Sequence, residues 1–452
     1  MKRATGRGPF RHRDFRLLVG GQLTSNIGDA FYAVALPWYV LSAQGGAVLL
    51  GTVLAAYGVP RTVLLVLGGH ASDRWRPWTV MMGSDAARAL AVAALSAAVL
   101  TGPPRPIVLV PIAVVIGAGE GIFLPGSMSV IPALLPAEEL QAGNGLSTGL
   151  SQLSTLIGPA IGGTVVALAG PGPAFAADAA TFVASVLSLA GIRAAQRARH
   201  VAAPASGTAG HPDVAGEADM AAHADSAAKA STLWQLARSE AVLQVIFVVI
   251  LAANLGSGGM AEVALPALAH GPFRAGAAGY GGLLAALGAG SIVGALCAGR
   301  ATRFSRPAVV GSAIFLAEGA FISVVPYGPA FAAPAWLALA GALVGFGDVL
   351  MITEFQKWAP PAMLGRLMGL VLLGSFGTYP ISVVAAGFVV RDFGPAPFFP
   401  AAGGAVIAAV LWGLSRQSWR DFGAAPREGA SEAANASSPR GAPRPLADGE
   451  VR

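Results

Sequence analysis

Among the ionisable residues inside long apolar runs of this chain are Asp29, Arg61 and Glu120. In a lipid interior each costs roughly 2.5 to 3.5 kcal/mol unless it is paired or hydrated, so such residues mark proton, ion or substrate pathways. Asp29 lies near the middle of the run Phe15–Leu41. At about 100° per residue, Gln22, Ser25, Asn26, Asp29 and Tyr32 share a sector of roughly 120°. That helix therefore carries one polar stripe, expected to face a central cavity. Arg61 precedes the exit at Gly69 by about 12 Å of helix, which puts it near mid-depth as well. The two predict a pair, Asp29 with Arg61, that a proton or a polar cargo breaks. Glu120 is a second candidate proton carrier. Glu262, Glu318, Asp348 and Glu354 are further acids in or near apolar runs, each either functional or a helix-to-helix hydrogen bond. Asn254 matches Asn26, and Asp85 and Asp178 read as residues near span ends, acting as caps or partners of loop charges.

Other chemistries find no support in the residues. His70 and Asp73 have no nucleophile or metal cluster beside them, so an enzyme is not expected. Gly117, Gly119 and Gly121 superficially resemble a phosphate loop, but they sit inside an apolar span with no strand before them, and the chain has no Walker A sequence. No cofactor is expected. His200, His211 and His223 are spread along an alanine-rich segment without a preformed geometry, so no metal site is expected. Cys297 is the single cysteine and forms no intrachain disulfide. The basic balance of +6 reflects arginines beside apolar spans rather than a nucleic-acid surface.

The elements that hold these residues follow from composition. With 54% hydrophobic and 12% charged residues and a mean hydropathy of +0.64, the chain has more apolar surface than soluble cores bury. Segments of about 20 apolar residues span a bilayer core. Twelve such spans are expected, from Phe15–Leu41 to Ala401–Leu414, giving an all-α membrane protein of two six-helix bundles. The expected organisation is a first half over 1–193, a flexible tether over 194–238, a second half over 239–416 and a disordered tail over 417–452. Lysines and arginines collect on the side of both termini and the tether. The opposite side receives only Arg105, Arg274 and Arg391. The positive-inside rule then makes both termini cytoplasmic. Abundant Ala, Gly, Pro and Arg suggest a GC-rich bacterial source, hence the inner membrane, and the N-terminus shows no cleavable signal. The halves echo each other: "NIG" at Asn26 and "ALP" ending at Pro37 return as "NLG" at Asn254 and "ALP" ending at Pro266, with one residue of slip. "NGL" at Asn144 returns as "MGL" at Met368, at an offset of about 225 residues, as in transporters built from parallel repeats.

Between the second and third spans stands "GGHASDRWR", which resembles the G-x-x-x-D-R loop of the major facilitator superfamily through Gly69, Asp73 and Arg74. Arg76 replaces the usual later glycine, and this form, with "SDAARA" from Ser84 and "PAEELQAGNGL" from Pro136, is similar to the branch of macrolide-efflux and enterobactin-export proteins. The resemblance implies a conformational latch formed by Gly69, Asp73, Arg74 and Arg76 with Asp85 and Arg88. The fifth span resembles the drug-antiporter signature through Gly145, Gly158, Pro159, Gly162 and Gly163, with Ser154 in place of one glycine. It implies export of a hydrophobic or amphiphilic small molecule driven by the proton gradient. A dedicated exporter of a siderophore, peptide or other natural product remains open, and a polytopic membrane enzyme is a distant third. One departure concerns the fourth span, where Ile112 and Ala113 occupy the place of the branch's usual arginine. The expected partners are a small-molecule cargo, protons and the lipid bilayer, with the chain acting as a monomer.

Overall fold

A computed structural model describes residues 8–43, 45–74, 77–102, 105–202, 240–300, 304–359 and 364–423. Twelve long helices cross these residues: α1 (Arg13–Ser42), α2 (Gly46–Arg74), α3 (Pro77–Leu100), α4 (Pro106–Leu134), α5 (Leu140–Ala169) and α6 (Pro171–Ala202) in the first half. The second half holds α7 (Ala241–His270), α8 (Gly276–Arg300), α9 (Pro307–Val324), α10 (Ala333–Trp358), α11 (Leu364–Phe393) and α12 (Phe398–Leu414). A short α13 (Gln417–Arg420) follows. Ten of the helices are long and apolar enough to span a membrane on composition alone. Of the other two, α1 is 30 residues long and carries the polar stripe, while α12 is apolar but only 17 residues long.

Local sequence sets the helix ends. α3, α4, α6 and α9 each start on proline, which lacks the N–H that a first turn leaves unpaired. Gly170 takes φ +86° at the end of α5, a left-handed conformation that suits glycine. α6 continues to Ala202, so the first residues of the expected tether are helical, and residues 203–239 lie outside the described residues.

The helices pack as two six-helix bundles, α1–α6 and α7–α12. They touch through α2 against α11 and α5 against α8. The first contact runs from Ala47 to Thr62 of α2, whose hydroxyl donates to the Phe376 carbonyl at 3.1 Å. The second joins Thr155–Gly163 to Ala277–Gly288. Both lie toward the end of the bundle away from the chain termini, as does the edge-on pair of Trp38 with His270, 5.1 Å between centroids. The halves thus meet at this distal end, and the cavities described below lie toward the termini.

The echo between α1 and α7 has a structural counterpart. Residues Met260–Ala264 of α7 form a π turn, and they lie between Asn254 and Pro266, where the repeat slips by one residue. The extra residue is absorbed by widening one turn. Glu262 sits on that turn.

Candidate functional site

Two ion pairs occupy the middle of the first half, and they differ from the expected one. Arg61 pairs with Glu120, Nη2 to Oε1 at 2.8 Å, and Asp29 pairs with Arg88, Oδ1 to Nη2 at 2.5 Å. The expected Asp29–Arg61 pair is therefore corrected. The cause is packing. Gly117 and Gly121 of α4 lie against the backbone of Tyr57 and Arg61, where an added Cβ would come within 1.9 and 2.5 Å of a carbonyl oxygen. This close approach brings Glu120, between those glycines, under the α2 side chains. Asp29 meets instead the α3 side chain whose stem crosses Gly119.

Arg88 is 2% exposed, and its guanidinium stacks on the Phe182 ring at 4.1 Å. Its second nitrogen lies 3.6 Å from Asp85, which in turn accepts a hydrogen bond from Ser185 at 2.6 Å. Asp85 and Arg88, grouped with the loop latch by resemblance, are buried in the α1–α3–α6 interior, one turn apart on α3. Asp178 is also interior rather than a cap. It is 1% exposed, one oxygen accepts from Thr181 at 3.4 Å, and the other has no hydrogen-bond partner among the described residues. Gly28 makes room for it: a Cβ there would sit 2.4 Å from Asp178 Oδ1. Buried carboxylates of this kind are rare without a role or a cation.

A second network crosses the halves. The Tyr57 hydroxyl donates to Glu120 and the Tyr379 hydroxyl donates to Glu262. The two tyrosine rings meet edge to face at 6.3 Å, and Arg61 lies over the Phe376 ring at 4.6 Å. Arg61 therefore faces the seam between the halves. Glu262 belongs to this seam as well, from the opposite side.

The polar stripe of α1 lines a cavity in the first half with about 900 Å³ of open space, with Gln22, Ser25, Asn26 and Asp29 on its wall beside Glu120 and Arg88. Gln22 accepts from Ser147 of α5 at 3.3 Å. Tyr32 departs from the stripe: its ring packs on Phe175 of α6 at 6.0 Å, so it serves the helix contact rather than the cavity wall. Asn254 lines a separate cavity in the second half, donating to the Ile250 carbonyl at 2.9 Å and to Ser375 at 3.4 Å.

The fifth-span signature divides by task. Gly158 and Gly162 lie against Ala30 and Phe31 of α1. Gly163 faces α8, where an added Cβ would fall 2.7 Å from the Ala277 carbonyl oxygen, and a Cβ at Gly281 of α8 would fall 2.2 Å from the Pro159 carbonyl oxygen. Gly145 meets nothing within 4 Å. Of the expected loop latch, Gly69, Asp73 and Arg74 fall on the last turns of α2. Their side chains, and Arg76 entirely, lie outside the described residues.

Reading the sequence alone missed Tyr57, Tyr379, Phe376 and Phe182 as partners of the charges. The spacing of Tyr57 and Arg61, one turn apart and before the charged loop, was the available signal. Among the described residues no group of three or more His, Cys, Asp or Glu is placed to hold a metal.

Twelve spanning helices in two related bundles, with paired charges at mid-depth and cavities open to one end, form the frame of a multi-pass membrane transporter. The sequence profile of the Major Facilitator Superfamily matches residues 18–353. The chain belongs to that superfamily. It is 28% identical over 394 residues to the multidrug efflux pump Tap of Mycolicibacterium fortuitum, covering 85% of this chain and 89% of that one. It is 24% identical over 372 residues to the enterobactin exporter EntS of Shigella boydii, covering 79% and 81%. The fold is similar to the crystal structure of a bacterial homologue of the iron transporter ferroportin in an inward-facing state, with a TM-score of 0.65 at 15% identity, over 93% of this chain and 100% of that one.

Proposed function

We propose that the chain is a secondary active exporter that moves a hydrophobic or amphiphilic small molecule out of a bacterial cell in exchange for protons. It works as a monomer in the inner membrane, with both termini cytoplasmic, and carries no catalytic site or cofactor. The observation that carries this reading is the Asp29–Arg88 bridge. Its carboxylate is 41% exposed at the cavity and its guanidinium only 2% exposed, next to Asp85. One guanidinium thus serves a carboxylate that faces the cavity and one that does not.

A proton or a cationic cargo at Asp29 removes the attraction to Arg88, which then turns wholly to Asp85. The change reaches the seam through packing. α1 carries Asp29 and lies on Gly158 and Gly162 of α5, and α5 presents Gly163 to α8. A shift of α1 therefore moves a helix that holds the distal contact shut, as alternating access requires. Arg61, between Glu120 and the Phe376 ring, reports the same motion at the α2–α11 contact.

The test uses energised inverted membrane vesicles. Adding a transported drug is expected to release protons, and Asp29→Asn is expected to abolish this while the protein stays inserted. Unchanged drug-dependent proton movement in Asp29→Asn would remove Asp29 from the mechanism. The similarity to an enterobactin exporter favours a second reading, a dedicated natural-product exporter, for which only one chemical class of cargo would release protons. A membrane enzyme would release none on drug addition.

A further inference from the structure

The second half repeats the first without its arginines. "GHASDRWRP" from Gly69 recurs as "GRATRFSRP" from Gly299, 230 residues later, with Gly, Ala, Arg and Pro retained at four places. Carried back along α2 and α8, and forward along α3 and α9, this offset puts Ser291 where Arg61 stands and Glu318 where Arg88 stands. Helix packing agrees. Gly117 and Gly121 of α4 rest on Tyr57 and Arg61, while Gly341 and Gly345 of α10 rest on Leu287 and Ser291.

The cavities correspond too. The first is walled by α1, α3, α4 and α5, and the second mainly by their counterparts α7, α9, α10 and α11. The second holds about 1060 Å³ of open space. Its walls are apolar, with Ile250, Phe315, Met351 and Trp419, except for Asp348, Ser312 and the Asn254–Ser375 pair. Asp348 is exposed to the cavity, and Glu318 is 6% exposed one turn past Phe315 on the neighbouring helix. Among the described residues no basic side chain forms an ion pair with either acid. A carboxylate in an apolar recess, without the cation its counterpart bundle has, selects for a positive charge brought from outside.

We infer that this second-half cavity is a cargo subsite for apolar cations, with Asp348 as the counter-ion and the aromatic and aliphatic wall taking the hydrophobic body. It deepens the exporter reading and rests on it. The test is binding of radiolabelled tetraphenylphosphonium to the purified full chain in lipid nanodiscs, with tetraphenylborate as an anion of the same shape. Tetraphenylphosphonium is expected to bind without competition from tetraphenylborate. Asp348→Asn is expected to weaken it at least about tenfold, whereas Asp348→Glu keeps most of the affinity. Ala253→Phe, which fills the cavity and changes no charge, weakens binding likewise and serves if Asp348→Asn is not monodisperse. Equal binding by Asp348→Asn or Ala253→Phe, competition by the anion, or no binding by the unaltered chain overturns the subsite. Binding through Asp348 with no cargo-driven proton release from vesicles would instead sink the exporter reading and leave the subsite standing.

Discussion

Gly281→Leu tests the claim that the distal contact between halves is closed by backbone-to-backbone packing. An added Cβ at Gly281 would lie 2.2 Å from the Pro159 carbonyl oxygen and 3.0 Å from Gly163 Cα, where ordinary contact begins near 3.4 Å. The overlap is about 1.2 Å against backbone, which has no rotamer to yield, and leucine adds three further carbons. Overpacking of this kind typically costs about 1 to 3 kcal/mol. Here the strain falls only on the state in which α5 and α8 touch, so it shifts the balance of conformers away from that state by about 5- to 150-fold. The assay is double electron–electron resonance between spin labels at Leu168→Cys and Phe331→Cys, in a Cys297→Ser background. Both positions are strongly exposed at the distal end, one on each half. A new population at longer distance is expected in Gly281→Leu. An unchanged distance distribution with the protein folded would show that the contact does not hold this end shut, and the reasoning from Gly163 and Gly281 would fail.

Four further outcomes follow from the buried contacts. Arg88→Leu leaves Asp29 and Asp85 without their cation and is expected to destabilise the first half by about 3 to 5 kcal/mol, read as a lowered thermal midpoint in detergent. Arg88→Lys is expected to recover little, because a lysine neither forks between two carboxylates nor stacks on Phe182 in the same way. A stable Arg88→Leu would refute the pairing. Tyr379→Phe removes the donor to Glu262 and is expected to cost about 1 to 3 kcal/mol; no change in midpoint would show that Glu262 finds another donor. Trp419→Ala deletes the ring stacked on Phe422 and its hydrogen bond to Ser312. A loss of about 3 to 5 kcal/mol is expected, and a near-neutral result would make α13 dispensable.

The sequence made the twelve spans legible because bilayer thickness sets their length and because prolines and charges punctuate them. Asp29 and Arg61 were legible near the middles of their helices, and Glu120 within its span, since such positions follow from counting residues along a helix. Partners were another matter. Which acid meets Arg61 depends on the rotation of α2 about its axis and on how closely α4 approaches it, and that approach is decided by Gly117 and Gly121, two residues without side chains. Arg88 was legible by resemblance as a member of the loop latch but not as the cation of Asp29, because its stem must first cross Gly119 of a third helix. Tyr32 shares the sector of Asp29 on a helical wheel, yet the α6 ring of Phe175 claims it. A wheel gives angle but not the neighbour that fills it.

The π turn at Met260–Ala264 has a consequence for how two copies of one bundle came to differ. In an unbroken α-helix a single inserted residue re-phases everything beyond it by about 100°. The wide turn at Met260–Ala264 takes up that residue instead, so the faces of Leu265–His270 are not turned by it, and His270 rests against Trp38. One copy of a repeat can thus gain a residue in mid-helix while the packing beyond it stays in place.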